Sequence, residues 1–205
     1  MKRSFLISFF AATILLGLAG SAFANQVQVT FTGVNGATQG GFYVSPYYAT
    51  IDGKKNVPIY CDDFLHEIHF GETWTANVFT FSDLSHVRFQ GANAADTLRK
   101  YSEVAWLIEQ LSSHPSQLGD INFAMWAVMD PAAELASGFT AGAGAWLTGA
   151  QLAPVGLYNF AILTPVDSGP GSAQELLIPT PEPASLALLG TGLLSVAAAV
   201  RKWRK

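Results

Sequence analysis

The sequence predicts an α+β domain with a mostly antiparallel β-sheet and a central pair of helices, and the order of its patterns is what predicts it. Residues alternating with period two come first, between about 27 and 79. Apolar steps of three and four residues follow between 93 and 130, and strand-like segments return after 157. Strands gathered on either side of a helical block give α+β, whereas a regular strand–helix alternation would give a parallel sheet.

Each element has its own local reason. "VQVTFTG" (27–33) alternates apolar and polar residues, and "GGFYVSPYYATI" (40–51) concentrates aromatic and β-branched residues between glycines. "VPIYCDDF" (57–64) and "EIHFGETWTANVF" (67–79) continue the β character. In "NAADTLRKYSEVAWLIEQLSS" (93–113), Leu98, Tyr101, Ala105, Ile108 and Leu111 fall on one stripe of a helix. "HPSQLGD" (114–120) breaks it. Asp120 is placed to cap a second helix, with Ile121, Ala124, Met125 and Val128 on one face, and Asp130-Pro131 closes that helix. "ASGFTAGAGAWLTGAQ" (136–151) fits a short helix or loops. "LYNFAILTP" (157–165) and "AQELLIP" (173–179) read as closing strands.

Both ends of the 205-residue chain are more apolar than its middle. Lys2 and Arg3 precede an uncharged apolar stretch, and Ala22-Phe23-Ala24 supplies a small-x-small cleavage pattern. Residues 1–24 therefore read as a signal peptide cut between Ala24 and Asn25 by signal peptidase. At the other end, 184–200 is an uncharged run of 17 residues, about 25 Å as a helix, the lower limit for crossing a bilayer. Arg201, Lys202, Arg204 and Lys205 around Trp203 close it and keep that tail cytoplasmic. Residues 25–178 are thus expected outside the cytoplasm, first anchored at the inner membrane and then at the cell surface or in extracellular matrix.

Prolines at 179, 181 and 183 lead into that run, and proline keeps the residue before it extended. Pro181-Glu182-Pro183, the apolar run and the basic tail, in this order, resemble the PEP-CTERM sorting signal of exosortase substrates. The resemblance covers Thr180 to Lys205. It implies a Gram-negative host that makes exopolysaccharide, and removal of the anchor by an exosortase-type membrane protease. The segments "GGFYVSPYYATIDG", "YSEVAWLIEQL" and "NFAMWAVMDP" resemble a group of exported proteins that carry the same signal.

Between Asn25 and Thr180 there are five cations (Lys54, Lys55, Arg88, Arg99, Lys100) against fourteen carboxylates, a formal charge of −9. Such a surface disfavours nucleic acid and anionic lipid, whose affinity a basic patch supplies. One cysteine excludes an internal disulfide.

"YCDDFLHEIHF" (60–70) gathers that cysteine, three carboxylates and two histidines. As a strand it sends His66 and His69 to opposite faces, so no metal site and no cofactor are expected. Cys61 is expected as a small buried residue, and no catalytic constellation is expected either. Trp126, Tyr101 and Trp106 are expected in packing, while Trp74, among turn-forming neighbours, is the candidate sugar contact.

"YCDDF" followed by "INFAMWAVMD" also resembles thioester adhesin domains of Gram-positive surfaces. There a cysteine sulfur is joined to a glutamine side chain. The resemblance puts Cys61 at the cysteine, Ala124-Met125-Trp126 at the Ala-Ile-Trp, and Asn122, one methylene shorter, where glutamine belongs. The expected function is a non-enzymatic envelope or matrix protein associated with exopolysaccharide. A carbohydrate-binding module is the first alternative. A thioester adhesin, or a hydrolase drawing on Asp62, Asp63 and Glu67, is the second.

Overall fold

Among the described residues, 26–169 and 171–180 of a computed structural model, eight strands and three α-helices form. The strands are β1 (Gln26–Val34), β2 (Thr38–Gln39), β3 (Phe42–Tyr43), β4 (Tyr47–Ile51), β5 (Lys54–Cys61), β6 (Thr73–Thr80), β7 (Phe160–Pro165) and β8 (Leu176–Pro179). The helices are α1 (Ala94–Leu111), α2 (Leu118–Met129) and α3 (Ala141–Gln151), with short 3-10 turns before and after α2.

Six strands close into an antiparallel barrel in the order β1-β4-β5-β8-β7-β6. Period-two alternation in β1 puts Val27, Val29 and Phe31 inside, while Gln28 and Thr30 hydrogen-bond across to Thr75 and Thr73 of β6. The β4–β5 hairpin turns on Asp52-Gly53, both at positive φ (46° and 79°), as a two-residue type I′ connection requires. The expected strands are therefore present, but the sheet has no free edge. β1 pairs β6 and β5 pairs β8, ladders whose sequence separation no local pattern reports.

Strand directions give the barrel two ends. The starts of β1, β5 and β7 lie with the ends of β4, β6 and β8, and Thr180 leaves from this end; its N–H donates to the Asn159 carbonyl (2.9 Å). The opposite end collects the exit of β5 and the entry to β8.

Helices α1 and α2 cover one side of the barrel. Tyr101, Ala105, Ile108 and Leu111 of the α1 stripe pack with Ile121, Met125 and Val128 of α2 against Phe160, Ile162 and Leu177. Strand β7 is buried throughout because Ala161 and Leu163 meet the barrel interior while Phe160 and Ile162 meet the helices. Helix α2 is buried on nearly every side; its Phe123, Trp126 and Ala127 join the barrel's own core.

Two expectations change. The central pair is a trio, because the glycine-rich segment forms α3, capped by the Thr140 hydroxyl on the Gly142 and Ala143 amides (3.0 and 3.2 Å). Glycine costs such a helix about 1 kcal/mol per residue against alanine. Here it is required, since a Cβ at Gly142 would lie 2.3 Å from an Asp120 oxygen. Asp120 is not the cap of α2. The 3-10 turn runs straight into Leu118, and the Asp120 carboxylate instead accepts from Gln39 Nε2 (2.9 Å) and Thr140 Oγ1 (2.6 Å). Strand β8 ends at Pro179, the last residue of the closing strand expected over 173–179.

The signal peptide with its Ala24–Asn25 cleavage, the Pro181-Glu182-Pro183 motif, the run 184–200 and the basic tail 201–205 lie outside the described residues. Among the described residues no helix is long and apolar enough to cross a membrane.

Candidate functional site

Strand β5 stops at Cys61, and the rest of "YCDDFLHEIHF" is a loop rather than a strand. The reason is Asp63. Its fully buried carboxylate accepts from the Leu65 and His66 amides (3.1 and 3.2 Å) and from His66 Nδ1 (2.9 Å), which turns the chain back on itself. Gln174 Nε2 fastens the loop by donating to the Asp63 and His66 carbonyls (3.0 and 2.7 Å). The two histidines are thus separated by the loop's course, not by the faces of a strand. Among the described residues no three His, Cys, Asp or Glu side chains converge as metal ligands.

Behind this loop lies a buried charge cluster. Arg88 Nη1 pairs with Asp63 and also donates to the Ala173 carbonyl (2.8 Å), and Nη2 donates to Ser172 Oγ (3.0 Å). Glu175, fully buried, accepts from Tyr101 Oη, Thr164 Oγ1 and the Arg88 amide (2.8 Å). Asp62 is fully buried and neither of its oxygens has a hydrogen-bond partner. Burial pushes the Asp62 carboxyl well up, and the Glu175 and Asp63 charges push it further. Burial raises Glu175 as well, against the pull of its hydroxyl donors. Asp63 is thus the carboxylate paired with Arg88, while burial favours the neutral forms of Asp62 and Glu175, and of Asp62 most, where donors oppose it less.

Cys61 and Asn122 are both hydrogen-bonded to Ser45. The Cys61 amide donates to Ser45 Oγ (3.0 Å), and the Ser45 amide donates to Asn122 Oδ1 (2.7 Å). Asn122 Nδ2 is buried without a partner. The Cys61 thiol is fully buried and donates to the Asp63 carbonyl (3.3 Å); burial, then the Asp63 and Asp62 charges, hold it well above the usual thiol range.

Over the loop opens a cleft of about 320 Å³, at the barrel end remote from Thr180. Phe31 stacks on Phe70 (5.0 Å between centroids), and Phe42 meets Phe64 and Trp126 edge-on or tilted (5.6 and 5.9 Å). His66, Glu67 and His69 bring polar groups to the same space. Phe42 and Tyr43 reach it on the β2–β3 hairpin. That hairpin turns at Gly40-Gly41, and a Cβ on Gly40 would overlap the Gly138 backbone at 2.5 Å. Trp74 does not reach the cleft rim. It is half-buried, packs against the barrel core, and its indole nitrogen has no hydrogen-bond partner. A second cleft, about 380 Å³, lies between helices, where Trp106 and Trp146 (6.0 Å) stand beside Asp120 and Gln117.

Sequence reading missed Arg88, Glu175 and the β2–β3 aromatics. The available signals were an arginine set apart in sequence from the other four cations and a glutamate directly before the apolar "LLIP" strand.

The family model of the PEP-CTERM protein-sorting motif matches residues 179–205. The chain carries a PEP-CTERM sorting motif. That motif implies an exported protein, sorted by an exosortase and processed at the membrane. No curated protein sequence matches the chain. Among solved structures, its backbone is similar to the N-terminal thioester domain of a surface protein from Clostridium perfringens. The identity is 12%, the TM-score 0.46, and the match covers 75% of this chain and 97% of that one.

Proposed function

We propose that the exported domain is a non-catalytic binding module that holds extracellular polysaccharide in the cleft formed by Phe31, Phe42, Tyr43 and Phe70. One observation carries this reading: aromatic rings, three of them on exposed residues, converge with His66, Glu67 and His69 on one concave surface. Sugar rings offer apolar C–H faces to such rings and hydroxyls to such polar edges, and a few fixed polar groups in an apolar cleft are the usual form of a small-ligand site. The same cleft argues against glycoside hydrolysis, which uses two free carboxyls across the scissile bond. Glu67 is free there, but Asp63 is committed to Arg88 and the loop amides. Titration against the host's own polymer is the test, with Phe70→Ala and Tyr43→Ala as cleft variants and Trp146→Ala as a variant of the second cleft. Absence of binding at millimolar sugar, or equal loss in all three variants, would remove the proposal.

A second reading, a Cys61–Asn122 thioester, is favoured by the Ser45 bridge and by the unpartnered Asn122 Nδ2. In that step Cys61 Sγ bonds to Asn122 Cγ, the Cγ–Nδ2 bond breaks, and the amide nitrogen leaves as ammonia with the thiol proton. An intact mass lacking one ammonia supports the bond; the unmodified mass, with one thiol titratable after unfolding, excludes it.

A further inference from the structure

From Leu135 to Val166 no side chain carries a charge at neutral pH, inside a domain of formal charge −9. Within that stretch the α3–β7 loop, "LAPVGLYN", exposes three apolar residues: Leu152 (84%), Val155 (53%) and Leu157 (73%). They are not exposed for want of order. Leu152 and Ala153 amides donate back to Gly149 and Ala150 (3.2 and 3.0 Å), and Ser102 Oγ bonds both the Gly156 amide and carbonyl (3.2 Å each). Tyr158 Oη reaches the Pro154 carbonyl (3.0 Å) while its ring packs on Phe81 (5.7 Å). A backbone tied this firmly holds its leucines in water instead of folding them inward, which marks an interaction surface.

What covers that surface follows from where the chain leads next. The loop ends at Asn159, whose carbonyl receives the Thr180 amide, and Pro179 pairs with Phe160. From Thr180 only three residues separate the domain from Ala184, the first residue of the uncharged run, four steps that span at most about 14 Å. While the precursor is held at the membrane, the loop is thus within reach of the lipid headgroups. An uncharged apolar tip enters that layer without the desolvation cost that the rest of this acidic surface would incur.

We propose that Leu152–Leu157 is a membrane-contact loop. Leu152, Val155 and Leu157 insert at the headgroup–acyl boundary of the non-cytoplasmic leaflet before processing. The proposal rests on the membrane reading of residues 184–200 and is independent of what the cleft binds.

The test uses the full chain in phosphatidylethanolamine–phosphatidylglycerol vesicles, with and without doxyl-labelled phosphatidylcholine as quencher. Leu157→Cys and Asp167→Cys each receive an environment-sensitive fluorophore; native Cys61, fully buried, stays unlabelled, which the parent protein checks. Asp167 follows β7 at the other barrel end, about 20 Å along the strand. The expected result is a blue-shifted emission at 157 that the quencher lipid removes, and an unshifted, unquenched emission at 167. Flotation with the vesicles but no quenching at 157 overturns the loop contact alone. A blue shift that ignores the quencher and grows with protein concentration overturns it in favour of a second copy. Failure to float removes the anchor, and the proposal with it.

Discussion

The two ends of the barrel are built from opposite materials. At the cleft end, Asp62, Asp63, Arg88 and Glu175 sit buried beneath a loop that Asp63 and Gln174 hold together. At the end where Thr180 leaves, the neighbouring α3–β7 loop has no charged side chain and is held by Ser102, Tyr158 and backbone groups. The first end puts polar atoms inside and aromatic rings outside; at the second, the α3–β7 loop puts apolar tips outside, at the same end as the exposed Asp52–Lys55 turn. Order is obtained at both ends, but only the first depends on ionisation. The difference is therefore measurable: substitutions and pH should act on the two ends by very different amounts.

The largest effect is expected from Arg88→Met. It leaves the Asp63 carboxylate buried without its cation and frees the Ala173 carbonyl, a loss of about 3–5 kcal/mol for a broken buried pair. Urea denaturation measures it. A change below about 1 kcal/mol would mean that the cluster does not organise this end.

Asp62→Asn should act in the opposite direction. Burial raises the Asp62 carboxyl, so the folded state keeps a proton that the unfolded chain releases above about pH 4. The folded state binds more protons in that window, and stability falls as pH rises from there through the folded value; below it the group contributes nothing. Removing the titration should raise stability near neutrality by about 1–3 kcal/mol and leave acidic pH unchanged. Glu175→Gln should likewise flatten the pH profile, since burial raises that carboxyl too. Denaturant midpoints across pH 3.5 to 8, wild type against variant, decide both. A gap between them that shrinks with rising pH would reverse the assignment.

These two predictions rest on residues that the sequence made unequally visible. The α1 stripe was legible because a helix brings residues three and four apart onto one face, and Tyr101, Ala105, Ile108 and Leu111 are buried as their spacing implied. Strand existence was legible for the same reason at period two. The end of β5 was not, because alternation continues past Cys61 in the sequence, while the Asp63 turn depends on Gln174 and Arg88, far along the chain. Arg88 and Glu175 meet only once β8 pairs with β5, and barrel closure is likewise a long-range pairing. Helix α3 was hidden by glycines whose reason lies in Asp120 and Trp106 of other helices. Cys61 and Asn122 were legible as a pair by motif, but Ser45, which joins them, was not.

A smaller effect belongs to the cleft surface. Tyr43→Ala and Phe70→Ala remove exposed rings, each worth about 0.5–1.5 kcal/mol in an aromatic contact. Polymer affinity should fall by roughly threefold to tenfold per ring at little cost in stability. If the urea midpoint falls as much as the affinity, the rings serve packing and not a ligand.

The smallest effect sharpens the comparison most. Leu157→Ser replaces an exposed apolar tip in a loop fixed by main-chain bonds and Ser102, so it should move stability by no more than about 0.5 kcal/mol. A soluble form without the membrane segment should then be indifferent to the change, although leucine to serine is chemically drastic. Indifference in solution, combined with a role at the membrane, is what separates a contact surface from a structural one. A destabilisation above about 1 kcal/mol in denaturant would show that Leu157 packs within the fold, and the two barrel ends would then differ only in charge.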